Sequence, residues 1–359
     1  MAKKATTKTT TTRKKKVVVK ESNHKYKFQF LVPQYEETDE VVKPLLDSIA
    51  IQQNVNFDDI SVIICNDGSD VRLSDTLLKS YPFNIEYHLC PHRGVSATRN
   101  ACLDRADADY IMFCDADDMF FNAYGLFVLF TSAYVEKNDE GEIGFDALTS
   151  VFMEEVHRDG AIDYIPREMD FTFVHGKVYR LDYLKAAEIR WNDDLTIHED
   201  SYFNCLALHC VSKPSKGRLL KLPIYLWKWR DASVCRHDPK YMLKTYNNWL
   251  DSSDALVEQF MRRGMFDKAQ FFVCQSVYTA YYTMNKKEWI DQENKEYRYN
   301  TEKRFKNFYI KYKTLLDTSP EEMRNHVIVN VKNQMFNEGM FLEEITFTQW
   351  LNHLLQEID

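Results

Sequence analysis

Polar clusters that directly follow apolar strand-like runs constrain this 359-residue chain more than any other feature. Continuous apolar runs such as Ile60–Cys65 and Tyr110–Cys114 predict strands that are buried on both faces. Helical patterns lie between such runs, and this alternation predicts an α/β fold with a mostly parallel open sheet flanked by helices. Ligands of such sheets bind at the carboxyl ends of the strands. The polar clusters fall at those ends: Pro33-Gln-Tyr35, Asn66-Asp67-Gly68-Ser69 and Asp115-Ala-Asp117-Asp118.

The remaining patterns predict three regions: a disordered basic arm (1–25), the α/β domain (26–238) and a helical C-terminal region (239–359). Pro33 is expected to end the first strand, and Pro44 to mark the start of the first regular helix. A further helix is expected over Lys177–Ala187. The segment 303–313 interleaves basic and aromatic residues, which suits either a packed helix or an acceptor platform.

The charge is distributed unevenly along the chain. The whole chain carries −8 and residues 1–16 carry seven positive charges, so the remainder carries −15. Such an acidic body repels a polyanion, so any contact with nucleic acid has to be local. The arm is interpreted as either a solubilising tail or a tether for a polyanion.

No apolar run reaches the ~18 residues that a membrane span needs, and no secretory signal is recognisable, so a cytoplasmic location is expected (the host cytoplasm for a viral protein). The eight cysteines form no CxxC pair, which favours reduced thiols over a disulfide framework. The segment His88-Leu-Cys90-Pro-His92 has no second ligand cluster to complete a zinc site.

The Asp115-Ala-Asp117-Asp118 cluster is the clearest candidate for chemistry. Three carboxylates within four residues repel one another unless a cation or solvent compensates. A divalent cation at this position would stabilise a departing diphosphate. On this cluster alone, a cation site and an acidic surface turn both stay open.

Six segments in order resemble glycosyltransferase family 2 with the GT-A fold, over about residues 28–238. They are Phe30–Tyr35, Val62–Ser69, Arg93–Asn100, Tyr110–Asp118, His198–Asp200 and Tyr225–Ser233. The resemblance implies a metal-dependent enzyme that transfers a sugar from a nucleotide donor, usually a UDP-sugar, to an acceptor hydroxyl, with Mn²⁺ or Mg²⁺ as cofactor. Inversion at the anomeric carbon follows if no enzyme nucleophile intervenes.

The resemblance also implies roles for individual residues around the donor. Pro33 and Tyr35 resemble the loop whose aromatic ring stacks on the donor base, an interaction for which an aromatic face is suited. Asp67 resembles the acid that accepts a hydrogen bond from the base, Arg93 resembles the residue that closes the base pocket, and Asn100 is expected to support the helix behind it.

For the metal and the diphosphate, the same resemblance implies that Asp117 is the direct ligand and that Asp115 lies near the ribose and the ion. Arg230 or Arg236 is expected to pair with phosphate oxygens, and His237 to complete the metal shell.

Asp200 is the candidate general base, with Glu199 as the next acid to consider. The segment 192–205 is predicted to be a loop that enters a helix, whose N-terminal field lowers the pKa of an acid. A nearby metal-diphosphate is also expected to keep Asp200 ionised, as a base must be.

The sequence leaves the acceptor open. A glycan or cell-wall polymer, a hydroxymethylated base of DNA as in bacteriophage DNA-modifying enzymes, and a protein or small molecule all remain. A non-catalytic module that binds sugar nucleotides or nucleic acid is the alternative of a different class. The presence of Asp67, Asp115, Asp117 and Asp200 together favours an enzyme.

Overall fold

A computed structural model describes residues 23–158, 160–230, 244–291, 293–337 and 345–357. The first 22 residues and the neighbourhood of residue 238 lie outside these ranges. The basic arm and the domain boundary therefore stay predictions.

Nine strands form one sheet in the order β3-β2-β1-β4-β8-β6-β9-β5, with β7 paired to β6. The strands are β1 (Tyr26–Gln34), β2 (Ile60–Asp67), β3 (Asn84–Cys90), β4 (Ala108–Phe113), β5 (Met119–Phe120), β6 (Ala147–Arg158), β7 (Ala161–Arg167), β8 (Lys177–Arg180) and β9 (Gly217–Trp227).

The half of the sheet made of β3, β2, β1 and β4 is parallel. In its register Gln34 is opposite Asn66, and Leu31 is opposite Phe113. The three polar clusters therefore emerge at one edge, as the apolar runs predicted. β1 continues through Pro33 to Gln34, so the expectation that Pro33 ends the strand is wrong.

The other half is mixed. β8 is antiparallel to both β4 and β6, β6 is parallel to β9, and β5 is antiparallel to β9. The last pairing brings the carboxyl end of β9 next to the loop that carries the aspartates.

The helices are α1 (Asp39–Ala50), α2 (Asp75–Leu78), α3 (Val95–Arg105), α4 (Gly125–Tyr134), α5 (Leu181–Ala186), α6 (Glu199–His209), α7 (Tyr246–Arg262), α8 (Phe266–Met284), α9 (Lys287–Ile290), α10 (Lys295–Asp317), α11 (Glu321–Asn337) and α12 (Phe347–Glu357). α1 begins at Asp39 and contains Pro44, so the predicted start near Pro44 is wrong. Burial of the apolar face of α1 offsets the hydrogen bond that proline cannot make. The helix expected from Lys177 begins only at Leu181, because residues 177–180 pair with both neighbouring strands.

The C-terminal helices share a hydrophobic core with α3, α6 and one face of the sheet. In α10 the aromatic residues Phe305, Phe308, Tyr309 and Tyr312 are buried, which supports the packed-helix interpretation of segment 303–313 over an acceptor platform. Within the described ranges, no helix has both the length and the apolar character to cross a membrane.

Candidate active site

The loop after β4 holds its aspartates in place through Tyr225 of β9. The backbone N–H of Asp115 donates to the Tyr225 hydroxyl over 3.0 Å, and that hydroxyl donates to Asp118 Oδ2 over 2.9 Å. Asp118 Oδ1 accepts from the backbone N–H of Lys228 over 3.0 Å. Asp118 is therefore an anchor that joins the acidic loop to the end of β9.

Asp118 also belongs to a group with Asp115 and His175, in which one ligand atom of each lies within 4.8 Å of the others; Asp118 and His175 are buried, and Asp115 is partly exposed. His175 Nδ1 lies 3.5 Å from Asp118 Oδ2. The His175 ring stacks on Phe173, Tyr225 and Trp227. Burial, together with Asp117 and Asp115, raises the pKa of Asp118 well above its usual range.

Asp117 points to a different partner. Its Oδ2 lies 2.9 Å from Nη1 of Arg230, which also lies 3.4 Å from Oε1 of Glu37. Asp117 and Asp115 keep 27% and 30% of their side chains exposed, whereas Asp118 keeps 1%. His237 and Arg236 lie outside the described residues.

The donor set fits a hard divalent cation, which prefers carboxylate oxygens. Asp115 and Asp117 offer accessible oxygens, while both oxygens of Asp118 already accept hydrogen bonds within the protein. Asp115 belongs both to the pair predicted from the sequence, Asp115 and Asp117, and to the group with Asp118 and His175.

The candidate base Asp200 lies in the first turn of α6. Its Oδ1 lies 2.8 Å from Nη1 of Arg99, and its Oδ2 accepts from the backbone N–H of Val174 over 2.9 Å. Burial raises the pKa of Asp200 to about 7; Arg99 opposes the rise, while Glu199 and Asp115 add to it. The expected lowering by the helix N-terminus is therefore outweighed by desolvation.

Arg99 is the residue that the sequence analysis missed, although its Arg93–Asn100 segment was recognised. The guanidinium of Arg99, only 4% exposed, lies 3.0 Å from Asp115, 3.0 Å from Glu199 and 2.8 Å from Asp200. It also lies 4.4 Å from the centre of the Trp191 ring. Its three carboxylates outweigh the effect of burial and raise its pKa above the usual value. A buried charge of this kind is retained only with such partners. The signal for Arg99 in the sequence was a basic residue in a motif that lies between two acidic motifs.

The C-terminal region contacts the same segment. His198 precedes α6 in a left-handed conformation (φ 63°). Its carbonyl accepts from Ser252 of α7 over 2.8 Å, and its Nε2 lies 3.3 Å from Thr245 Oγ1. Burial lowers the pKa of His198 to about 4, so its ring is neutral near pH 7. The helical region thus holds the backbone that presents Glu199 and Asp200.

Asp67 anchors the start of α3. Its two carboxylate oxygens accept from the backbone N–H groups of Arg93 over 2.8 Å and Gly94 over 2.9 Å. His92 Nδ1 lies 3.0 Å from Asp67 Oδ2. Both carboxylate oxygens thus already accept hydrogen bonds within the protein, and the acceptance by Asp67 of a hydrogen bond from the donor base stays a prediction.

The loop after β1 presents Tyr35 beside His92. Their rings stack with centroids 4.9 Å apart and an angle of 28°. Tyr35 is 45% exposed, and Pro33 lies within β1 opposite Cys65. An exposed ring held by a second ring is a suitable platform for a base. His92 is a second residue that the donor prediction did not include.

Arg93 is directed toward Asp193, whose carboxylate lies 2.9 Å from its Nη2. Asn100 of α3 donates to the carbonyl of Trp191 and to Asp193 in the loop before α6, and its support of the helix stays a prediction. Arg93 and Asn100 line a cavity of about 350 Å³ on this side of α3. Closure of the base pocket by Arg93 stays a prediction.

The sheet order and the acidic edge define the class of the protein: it has the GT-A fold. Residues 30–124 match the model of glycosyl transferase family 2.

Two curated relatives match parts of the chain. A teichoic acid poly(glycerol phosphate) polymerase of Staphylococcus epidermidis is 27% identical over 212 residues, which are 54% of this chain and 28% of that protein. The minor teichoic acid biosynthesis protein GgaB of Bacillus subtilis is 34% identical over 103 residues, which are 28% of this chain and 11% of that protein. The chain thus spans less than a third of the length of either relative.

The fold is similar to that of S. aureus TarS residues 1–349. That crystal structure is 15% identical, has a TM-score of 0.61, and the match covers 88% of this chain and 93% of TarS 1–349. The same TarS fragment in complex with UDP-GlcNAc has a TM-score of 0.58 at 16% identity, with 88% and 93% covered. The similarity extends beyond the sheet, since it covers most of both chains.

Proposed function

We propose that this chain is a metal-dependent, inverting glycosyltransferase that moves a sugar from a UDP-sugar to an acceptor hydroxyl. The observation that carries the proposal is the juxtaposition of Asp115 and Asp200 on one buried guanidinium, Arg99. It brings a cation-binding edge and a candidate base into one site, as such a transfer requires.

Each group has a distinct task in this proposal. Asp200 accepts the proton of the acceptor hydroxyl while the acceptor oxygen attacks the anomeric carbon. The bond from that carbon to the β-phosphate oxygen breaks, and UDP leaves with its electron pair. Asp115 and Asp117 would hold Mn²⁺ or Mg²⁺, which neutralises the charge of the departing diphosphate. Tyr35 and His92 offer the base a stacking surface.

The UDP-sugar donor is supported by the UDP-GlcNAc complex of the TarS fragment, a protein of the same fold. The acceptor is proposed to be a hydroxyl of a cell-envelope polymer, because both curated relatives are named for teichoic acid polymers or their biosynthesis. A hydroxymethylated base of DNA stays the second candidate, which the basic arm favours. A cytoplasmic location stays a prediction.

The test is release of UDP from a panel of UDP-sugars with Mn²⁺, Mg²⁺ or EDTA, followed by mass spectrometry of candidate acceptors. We expect metal-dependent release, a mass increase of one sugar on the acceptor, and loss of both in Asp200→Asn. Asp58→Asn is the matched control, because Asp58 lies before β2, at the opposite end of that strand from the site. Binding of UDP without turnover on any acceptor would instead favour a non-catalytic module.

A further inference from the structure

Arg230 lies between two carboxylates beside the loop after β4, which is proposed to hold the cation. Its Nη1 lies 2.9 Å from Asp117 Oδ2 and 3.4 Å from Glu37 Oε1. Without a positive charge between them, these carboxylates would repel each other. The guanidinium therefore offsets the charge of both carboxylates before any ligand arrives.

The contacts around Arg230 come from separate elements, so its position is built into the fold. The preceding residue Trp229 stacks on His157 of β6, with centroids 4.9 Å apart and an angle of 12°. The backbone N–H of Lys228 donates to Asp118. From the other side, Glu37 belongs to the loop that presents Tyr35, and its Oε2 accepts from the backbone N–H of Tyr35 over 2.6 Å.

Glu37 is mostly buried, and burial raises its pKa, with Asp117 adding to the rise and Arg230 opposing it. Glu37 thus links the stacking surface at Tyr35 to the acidic edge at Asp117 through one arginine.

A guanidinium and a divalent cation on the same carboxylate repel each other, because both carry positive charge. We infer that Arg230 competes with the divalent cation for Asp117 and that a nucleoside diphosphate relieves the competition. The diphosphate supplies oxygens with which an arginine forms strong charge-assisted hydrogen bonds. Arg230 would then exchange Asp117 for phosphate and leave the Asp117 carboxylate available to hold the cation.

This exchange predicts that the cation and UDP bind cooperatively. Each ligand must increase the affinity for the other by the same factor, since coupling between sites is reciprocal. The inference rests on the proposed function for the identity of both ligands, but it concerns binding and not turnover.

The experiment is titration of Mn²⁺, followed by the electron paramagnetic resonance signal of the free ion, with and without saturating UDP. Arg230→Gln should bind Mn²⁺ alone about tenfold more tightly than the wild type, because its competitor is gone. The increase of Mn²⁺ affinity on adding UDP should shrink by a similar factor. Arg230→Lys keeps a positive charge, so its affinity for Mn²⁺ should fall between those of the wild type and Arg230→Gln.

Arg262→Gln is the matched control, since it removes one arginine charge from a surface pair with Glu258. It should leave both Mn²⁺ affinities unchanged. In an Asp117→Asn background, Arg230→Gln should no longer strengthen Mn²⁺ binding, because the shared carboxylate is absent.

The inference would be overturned if Arg230→Gln and Arg230→Lys both bound Mn²⁺ alone with the affinity of the wild type. That result is distinguishable from failure of the proposed function, which would appear as UDP binding by the wild type that is insensitive to EDTA. If Arg230→Gln does not fold, the Arg230→Lys titration decides alone: an unchanged Mn²⁺ affinity and an unchanged response to UDP would reject the competition.

Discussion

The guanidinium of Arg99 lies 2.8 Å from the carboxylate of Asp200, and its other terminal nitrogen lies 3.0 Å from Asp115. One buried side chain therefore spans the candidate base and the acidic loop, which are 85 residues apart in the sequence. Displacement of Arg99 would disturb both at once.

Replacement of Arg99 by lysine tests this connection. Lysine keeps the charge but lacks the planar fork that reaches carboxylates on two sides. We expect kcat/KM for sugar transfer to fall by roughly 10²-fold, since a small misplacement of catalytic groups has that effect. Arg180→Lys, which alters the ion pair with Asp146, is the control and should retain activity. Activity near wild type in a folded Arg99→Lys protein would show that the connection is not needed.

The pKa of Asp200 predicts the pH dependence of transfer. Because burial raises this pKa to about 7, the basic form accumulates only as the pH rises through that value. The profile of kcat/KM, which reports the free enzyme, should therefore rise from pH 6 to 8. Asp200→Asn should lower kcat by roughly 10²-fold or more and remove this limb, while UDP affinity persists. A flat profile in the wild type, with chemistry shown to limit the rate, would contradict this assignment.

Substitutions in the acidic loop distinguish the two possible cation sets. Asp117→Ala should abolish the difference in UDP affinity between Mn²⁺ and EDTA, as measured by calorimetry. Asp118→Asn should keep that difference but lower the thermal stability, because the amide nitrogen that replaces one carboxylate oxygen cannot accept the hydrogen bond from Tyr225 or Lys228. The unsatisfied buried group costs about 1–3 kcal/mol. Loss of metal dependence in a folded Asp118→Asn protein would instead favour a site made of Asp115, Asp118 and His175.

Deletion of the basic arm separates the two acceptor classes. If the acceptor is DNA, the arm contacts phosphates, and log affinity falls with log salt by about 0.9 per phosphate neutralised. Removal of Met1–Lys16 should then flatten this slope by several units and leave UDP affinity unchanged. If the acceptor is a neutral glycan, neither acceptor KM nor its salt dependence should change. The measurement is acceptor binding at several salt concentrations, with hydroxymethylated and plain duplexes.

Equally weak, salt-insensitive binding to both duplexes would reject DNA as the acceptor. Tight binding without discrimination and without transfer would identify the arm as an electrostatic tail, because phosphate contacts carry no base information.

Local patterns in the sequence were sufficient for the parallel half of the sheet and for the edge that carries the site. Runs such as Ile60–Cys65 are almost entirely apolar because both faces of a parallel strand are buried. The polar residues that follow such runs then share one edge, since parallel strands end on the same side. Asp115 and Asp117 were identified in this way, and Asp200 was identified from the resemblance to a family.

Partners that are distant in the sequence were decided only by the tertiary structure. Lys177–Arg180 has a helical pattern by itself, but hydrogen bonds to two neighbouring strands make it β8. Likewise, the pKa of Asp200 depends on how deeply the fold buries it and on Arg99, and neither is encoded in the turn that contains Asp200. The pairing of Asp117 with Arg230 requires β9 to end beside the loop after β4, which is a property of sheet order. Burial and the distances between charges arise from packing between segments, so the sequence by itself identified the reactive groups, and the fold decided their partners and their protonation.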